Sequence, residues 1–294
     1  MPLVTTKSLI TAASAAGTGL AAFNVITLEH AEAIVAGATA AGCSVILQIS
    51  QNAVKFHGGR ISPIAAAAQA VAMEATGPVS LHLDHVEDEA LVAAAAAAGF
   101  SSVMFDAGAL PYPENVARTA AATTAAHADG LFVEAELGFV GGKSEAPLSA
   151  HAPGALTDPA EARDYVQATG VDALAVAVGS SHAMTTRSAE LDLTRIAELR
   201  SALAVPLVLH GSSGVPDAVL AAAVRAGIVK INIGTALNIE MTGALRGFLA
   251  GDADAVDPRK YLALGRSAMA ETVEHLCRIV TSPTAVVADA DGSE

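Results

Sequence analysis

Tryptophan is absent and aromatic residues make up only 3% of the 294-residue chain, while the broad hydrophobic count reaches 52%. The interior must therefore be built mainly from alanine, valine and leucine, and side chains that small imply close packing of helices on sheet. Charged residues are also sparse, at 16%, and 30 acidic against 16 basic side chains leave a net charge of −14. That sign opposes non-specific attraction to nucleic acid or an anionic membrane, so neither is an expected partner. An anionic substrate would need a local positive site. Two cysteines, Cys43 and Cys277, are too few for a disulfide framework and lack metal-motif spacing. Both are expected as buried thiols in a reduced cytoplasm. Long apolar runs are missing too. The strongest, Ala90 to Phe100, is mostly alanine and broken by Gly99, far short of the roughly 20 residues that cross a bilayer. Lys7-Ser8-Leu9-Ile10 faintly imitates a signal peptide, but Ser14, Gly17, Thr18 and Gly19 interrupt the apolar region. A first helix leading into a strand is the better reading.

What is present is repetition. Short runs rich in valine, isoleucine and leucine, each followed by an alanine-rich, helix-length segment, fall at Ala21–Ile26, Ser44–Ile49, Val79–His85, Ser101–Asp106, Leu131–Gly138, Ala173–Gly179, Val205–Gly211 and Ile228–Gly234. Such βα units build a parallel sheet, and this number of them closes a (β/α)8 TIM barrel. An open doubly wound sheet would want a glycine-rich turn after the first strand, which Phe23-Asn24-Val25-Ile26 does not supply. Ser62-Pro63 predicts a helix start with Ser62 as cap, and Thr157-Asp158-Pro159 another that Gly170 ends. No flexible linker is evident, so residues 1–294 are expected as one barrel domain, with 257–281 as a C-terminal helix and 282–294 as a tail. The glycine- and proline-rich stretch from Gly138 to Leu156 is the candidate active-site loop.

Polar residues gather at the ends of the predicted strands: Asn24, Asp84-His85, Asp106, Glu134 and Glu136, His182, His210, and Asn232 with Thr235. In a barrel all those ends meet on one face, so residues distant in sequence share one pocket. His85, His182 and His210 suit a divalent cation such as zinc or cobalt, because three imidazoles leave an open coordination position. His30, His57, His127, His151 and His275 are read as surface or supporting residues, and His82 as structural. Gly211, Ser213, Asn232, Gly234 and Thr235 lie in the turns after the seventh and eighth strands, where barrels commonly hold phosphate on backbone amides and hydroxyls. Asn24 and Ser50, at the first and second strand ends, complete the candidate substrate set.

Several segments together resemble the class II fructose- and tagatose-bisphosphate aldolases. Leu81-His82-Leu83-Asp84-His85 is similar to the segment in which the aspartate moves a proton and the next histidine binds metal. Val133-Glu134-Ala135-Glu136-Leu137-Gly138 with Gly141-Gly142 looks like the fifth-strand motif, and Ala173 to His182 like the segment bearing the second histidine. Leu207 to Gly214 and Lys230 to Thr235 resemble the third-histidine and phosphate segments, and Asp257-Pro258-Arg259 a C-terminal signature. The resemblance runs in constant order from about Asn24 to Ile279.

It implies a metal-dependent enzyme that cleaves a ketose 1,6-bisphosphate to dihydroxyacetone phosphate and an aldehyde such as glyceraldehyde 3-phosphate. Aldolase action on another phosphorylated ketose and a non-catalytic sugar-phosphate binder are the alternatives. Asp84 would deprotonate the C4 hydroxyl, or else only orient His85, and Glu136 would be a further ligand or an acid paired beside the centre. Arg259 would reach a neighbouring subunit's distal phosphate, which implies a homodimer or homotetramer. A monovalent-cation site is implied near the second histidine, but there Ala183 stands where the family usually has glycine, and Thr186-Arg187 replaces a lysine-containing turn. Ser144 falls where the family places a loop acid, so Glu145 is the candidate catalytic replacement, and Asp106-Ala107-Gly108 stands for aspartate-glycine-serine. A Schiff-base aldolase using Lys230 is the rival chemistry, against a lysine that merely pairs an acid or neutralises phosphate.

Overall fold

The structure, a computed structural model, describes residues 2–138 and 156–282. Strands β1 Leu20–Asn24, β2 Val45–Ser50, β3 Val79–Val86, β4 Ser102–Phe105, β5 Phe132–Leu137, β6 Ala173–Val176, β7 Leu207–Leu209 and β8 Ile228–Ile233 form a closed barrel in sequence order. Every neighbouring pair is parallel, and β1 closes on β8 through Leu20 opposite Lys230 and Phe23 opposite Ile233. The helices are α1 Thr6–Ala16, α2 Leu28–Ala41, α3 Gln51–Phe56, α4 Ile61–Glu74, α5 Glu89–Ala95, α6 Tyr112–Ala128, α7 Pro159–Thr169, α8 Leu193–Ala202, α9 Asp217–Ala226, α10 Thr235–Gly251 and α11 Pro258–Thr281. The (β/α)8 expectation is met. No helix among the described residues is long and apolar enough to cross a membrane.

Strand alternation separates two cores. Outward residues such as Phe23, Leu47, Leu81, Leu83, Val133 and Ile231 pack beneath the helices. Inward Ala22, Ile46, Ala173, Ala175 and Val208 form a second cluster with Leu9, Ile10 and Ala13 of α1. The first helix thus plugs the amino end of the barrel: Thr5 caps it by accepting from Ser8 N, and left-handed Gly17 ends it. Burial of Leu9 and Ile10 there contributes roughly 1.5–3 kcal/mol each. Their apolarity belongs to the core. Above this plug the barrel interior turns polar, with Gln48, His82, Glu134, Lys230 and His210 all buried.

Some expected details differ. Ser62 is not the cap of α4, because the helix already begins at Ile61 with Arg60 as N-cap, leaving Ser62 and Pro63 inside its first turn. Asp158 caps α7 through Ala160 N and Glu161 N, and Gly170 ends it, as expected. The sixth and seventh strands are shorter than their apolar runs, stopping at Val176 and Leu209, so that Gly179, His182, His210 and Gly211 lie in the turns beyond them. α11 buries Met269, Val273, Leu276, Cys277 and Val280 at helical spacing against the barrel. Cys277 is buried, but Cys43 only partly, because it sits just past the end of α2. Glu145, His151, most of the candidate loop from Gly138 to Leu156, and residues 283–294 lie outside the described residues.

Candidate active site

Asp84 and His85 are consecutive, and consecutive strand residues ordinarily face opposite sides of a sheet. Here they share one cavity. Between Leu83 and Val86 the pairing of β3 with β4 slips by a residue, and His85 adopts φ 49°. This bulge turns His85 inward while Asp84 keeps the inward position set by its alternation with His82. Asp106, just beyond β4, bonds His85 Nδ1 at 2.9 Å. It is therefore Asp106, and not Asp84, that orients His85.

The ring atoms converge. His85, His182 and His210 have centroids 4.9–5.7 Å apart. With Glu136 they offer four ligand atoms that all lie within 4.8 Å of one another. His210 carries the clearest sign of a group fitted to a cation. Its Nε2 lies 2.9 Å from Glu134 Oε1. When Nε2 donates there, Nδ1 is left with a lone pair, buried, without a hydrogen-bond partner, and 2.9 Å from Glu136 Oε2. Burial disfavours a charged His210, but Glu134 and Glu136 outweigh it and push the ring up to about 9. A divalent ion would replace that proton as the positive charge between the acids. The donor set of three imidazoles and a carboxylate therefore fits such an ion.

Glu134 is held in turn by Lys230, whose Nζ donates to its Oε2 at 2.8 Å and to Asn232 Oδ1 at 2.8 Å. Burial opposes the Glu134 charge, yet Lys230 and His210 keep its carboxyl well below the usual range. Lys230 is wholly buried and engaged on two sides, the arrangement of a lysine that pairs an acid rather than one presented to a carbonyl.

Asp84 is fixed by two amides. Asn24 Nδ2 donates to its Oδ2 at 3.1 Å, and Asn232 Nδ2 approaches Oδ1 at 3.5 Å. Neither amide can flip freely, because Gln48 Nε2 donates to Asn24 Oδ1 at 3.0 Å and Lys230 holds Asn232 Oδ1. Burial raises the Asp84 carboxyl, but the charges of His85 and Lys230 pull harder and leave it below its ordinary value. His82 contacts Ser102 Oγ through Nδ1 at 2.8 Å, and burial, then Lys230, lower its ring to about 3, so it stays neutral. That agrees with a structural role.

Above these groups opens a cavity of about 190 Å³ lined by Asn24, Ser50, Asp84, His85, His182, Gly211, Ser213, Asn232, Gly234 and Thr235. His210 and Glu136 lie beneath it, almost fully buried. Ala183, expected beside the second histidine, lines it too, and Gln48 and Ser181 also line it and were not anticipated. The signal for Gln48 was a lone polar residue on the inward face of an apolar strand, two positions before Ser50. Gly211 is required: at φ 67° a Cβ would meet the Ser181 carbonyl carbon at 2.6 Å. Ala183 holds φ 58°, a left-handed conformation in which glycine would be unstrained. Arg187 turns away from the cavity to Asp217 and the Val215 carbonyl.

Arg259 is not brought to the cavity. Its guanidinium pairs with Asp257 of the same turn at 2.8 Å and is 89% exposed. His30 also departs from a surface reading, being buried, with Nδ1 near Thr27 N and Nε2 3.3 Å from Asn238 Oδ1. His57, His127 and His275 bond Ile26 O, Asp172 and Asp217, away from the histidine cluster.

Residues 4–284 match the family described as "Fructose-bisphosphate aldolase class-II". The chain belongs to the class II fructose-bisphosphate aldolase family. It is an aldolase, a carbon–carbon lyase, as the motif resemblance implied. A Bacillus subtilis protein named "Probable fructose-bisphosphate aldolase" is 39% identical over 276 residues, covering 93% of this chain and 95% of that protein. The crystal structure of the YdjI aldolase from Escherichia coli K12 superposes with a TM-score of 0.81 at 29% identity, over 96% of this chain and 99% of that one. Fructose-bisphosphate aldolase from Campylobacter jejuni, 21% identical, shares the fold with a TM-score of 0.78 over 95% of each chain.

Proposed function

We propose that this class II aldolase is metal-dependent and reversibly cleaves a ketose 1,6-bisphosphate of the fructose or tagatose type to dihydroxyacetone phosphate and glyceraldehyde 3-phosphate. The observation that carries the reading is the convergence of His85, His182, His210 and Glu136 beside a fixed carboxylate, Asp84, at the carboxyl end of the barrel. The three histidines, with Glu136 as a further ligand, would hold zinc, cobalt or another divalent ion. Bound there, the ion supplies Lewis-acid stabilisation of the charge left when the carbon–carbon bond breaks.

Asp84 takes the C4 hydroxyl proton in cleavage and returns it to the aldehyde oxygen in synthesis. The two asparagine amides aim its carboxylate, and the neighbouring His85 and Lys230 charges favour its ionised form, the one that accepts a proton. Glu145 is assigned proton exchange at the dihydroxyacetone phosphate carbon. One phosphate is received on the backbone and hydroxyls of Gly211, Ser213, Gly234 and Thr235, with Asn24, Ser50 and Asn232 facing the sugar. Arg259, solvent-exposed in this chain, serves the distal phosphate of a neighbouring subunit in a homodimer or homotetramer. A monovalent cation would sit beside the Ala183 turn.

A coupled cleavage assay over a panel of phosphorylated ketoses, with metal analysis of the same sample, tests this. Cleavage of one bisphosphate that chelator abolishes and zinc or cobalt restores is the expected result. Full activity of metal-free protein refutes the metal reading, and tight sugar-phosphate binding without turnover would make the protein a binder.

A further inference from the structure

His182 is carried on residues 177–192, the connection from β6 to α8, which forms no helix of its own. Ala183, the next residue, holds φ 58°. A left-handed alanine persists only where its surroundings fix it, so whatever fixes this turn also decides where the imidazole points. The turn is laid against the one that follows β7. Ser181 rests on Gly211, where a Cβ would stand 2.6 Å from the Ser181 carbonyl carbon. Met184 rests on Gly214, where a Cβ would stand 2.5 Å from Met184 Cβ. Ala189 N donates to Gly214 O at 2.9 Å.

Arg187 adds a side-chain clasp to these contacts of shape and backbone. Its Nε and Nη2 donate to Val215 O at 3.0 and 2.7 Å, and Nη2 also donates to Asp217. Asp217 is the first residue of α9, and its other oxygen lies 2.7 Å from Nε2 of His275 on α11. One guanidinium therefore ties the His182 turn to the neighbouring turn, to α9, and through a shared carboxylate to α11. The planar fork of arginine can hold a carbonyl and a carboxylate at once, which the single point charge of lysine does less well. The Arg187 side chain is 41% exposed, so it lies outside the core and restrains one turn rather than the barrel.

We propose that Arg187 is a positioning residue for His182: its bonds to Val215 O and Asp217 hold the left-handed turn in the form that brings the imidazole to His85, His210 and Glu136. The inference rests on the metal reading of that cluster. With the clasp gone, the turn at Ala183 can relax toward right-handed backbone. His182 then leaves the group of ligand atoms in a fraction of the molecules, and a divalent ion meets a site short of one imidazole. Apparent affinity falls with the fraction that remains competent.

The test uses whole protein stripped by chelator and titrated with cobalt, with affinity read by chelator competition and coordination by the visible absorption of the bound ion. Arg187→Met should lower cobalt affinity about tenfold, the lower end for loss of outer support to a ligand, because the contacts at Gly211 and Gly214 remain. Its cobalt spectrum should change, and Arg187→Lys should recover part of both. The deciding arm is a cycle with His182→Ala. If Arg187 acts through His182, Arg187→Met should cost nothing further in that background. Equal losses in both backgrounds would show general loosening and overturn the proposal, as would wild-type cobalt affinity in Arg187→Met. Should Arg187→Met not fold, Asp217→Ala takes its place, with a smaller loss that again must vanish without His182. If the wild-type protein binds no cobalt, the metal reading fails and the proposal with it, a result distinct from tight binding that ignores Arg187.

Discussion

Replacing Glu134 by glutamine perturbs one atom and two neighbours. The carboxylate now meets a donor on each side: Lys230 Nζ at 2.8 Å and His210 Nε2 at 2.9 Å. A glutamine amide has one oxygen. The ammonium can only donate, so the oxygen should turn to Lys230 and the amide NH2 to His210. His210 Nε2 must then accept, and its proton moves to Nδ1, the atom facing the cluster. Loss of a carboxylate behind a ligand histidine typically lowers metal affinity about 10–100-fold, or roughly 1.4–2.7 kcal/mol. Metal-free stability should also fall, because Lys230 is left buried without its counter-charge. Breaking a buried pair costs about 3–5 kcal/mol, and the retained amide contact favours the lower end. At roughly 2–4 °C per kcal/mol for a chain of this size, melting should drop by about 6–12 °C. The Glu134→Gln/Lys230→Met double variant separates the effects: it removes the stranded charge and should recover much of the stability, but not the affinity. Chelator competition gives the affinity and thermal unfolding of the metal-free protein the stability. Wild-type metal affinity in Glu134→Gln would refute the tautomer argument.

Asp84→Ala should keep the bound metal but lower cleavage by about 10²–10⁴-fold, the usual worth of a positioned proton carrier; unchanged turnover would exclude it as the base. Ala183→Gly should relieve about 1–2 kcal/mol of left-handed strain and lose about 0.4–1 to the looser unfolded chain. Denaturant midpoints should therefore show a small net gain, and a loss would mean that the Ala183 methyl is held favourably. Gly211→Ala, whose methyl would strike the Ser181 backbone, should destabilise by more than about 2 kcal/mol and weaken inorganic phosphate binding; a wild-type melting curve would contradict the clash. Arg259→Ala should raise the Michaelis constant for a bisphosphate by about one to two orders of magnitude, the scale of a charge-assisted hydrogen-bond pair. Proton exchange on dihydroxyacetone phosphate should hardly change, and equal damage to both reactions would argue against a distal-phosphate role.

The barrel was legible because strand and helix periodicity are local. Runs such as Val45–Ser50 alternate inward and outward residues whatever surrounds them, and the polar residues at their ends marked the candidate functional face before any closure was known. The histidines could be named for the same reason: an imidazole at the end of an apolar run has few purposes in a core. What the chain order could not convey was pairing across the barrel. Glu134 and Lys230 are 96 positions apart and meet only because β5 and β8 face one another through a closed interior. Asp106 reaches His85 because β4 follows β3 in the sheet and a bulge turns the ring toward it, and a one-residue slip leaves no mark in hydropathy. The plug formed by α1, the left-handed turn at Ala183 and the local pairing of Arg259 likewise depend on where distant backbone comes to rest. Residue type and spacing set which groups could act; register and closure decided which of them touch.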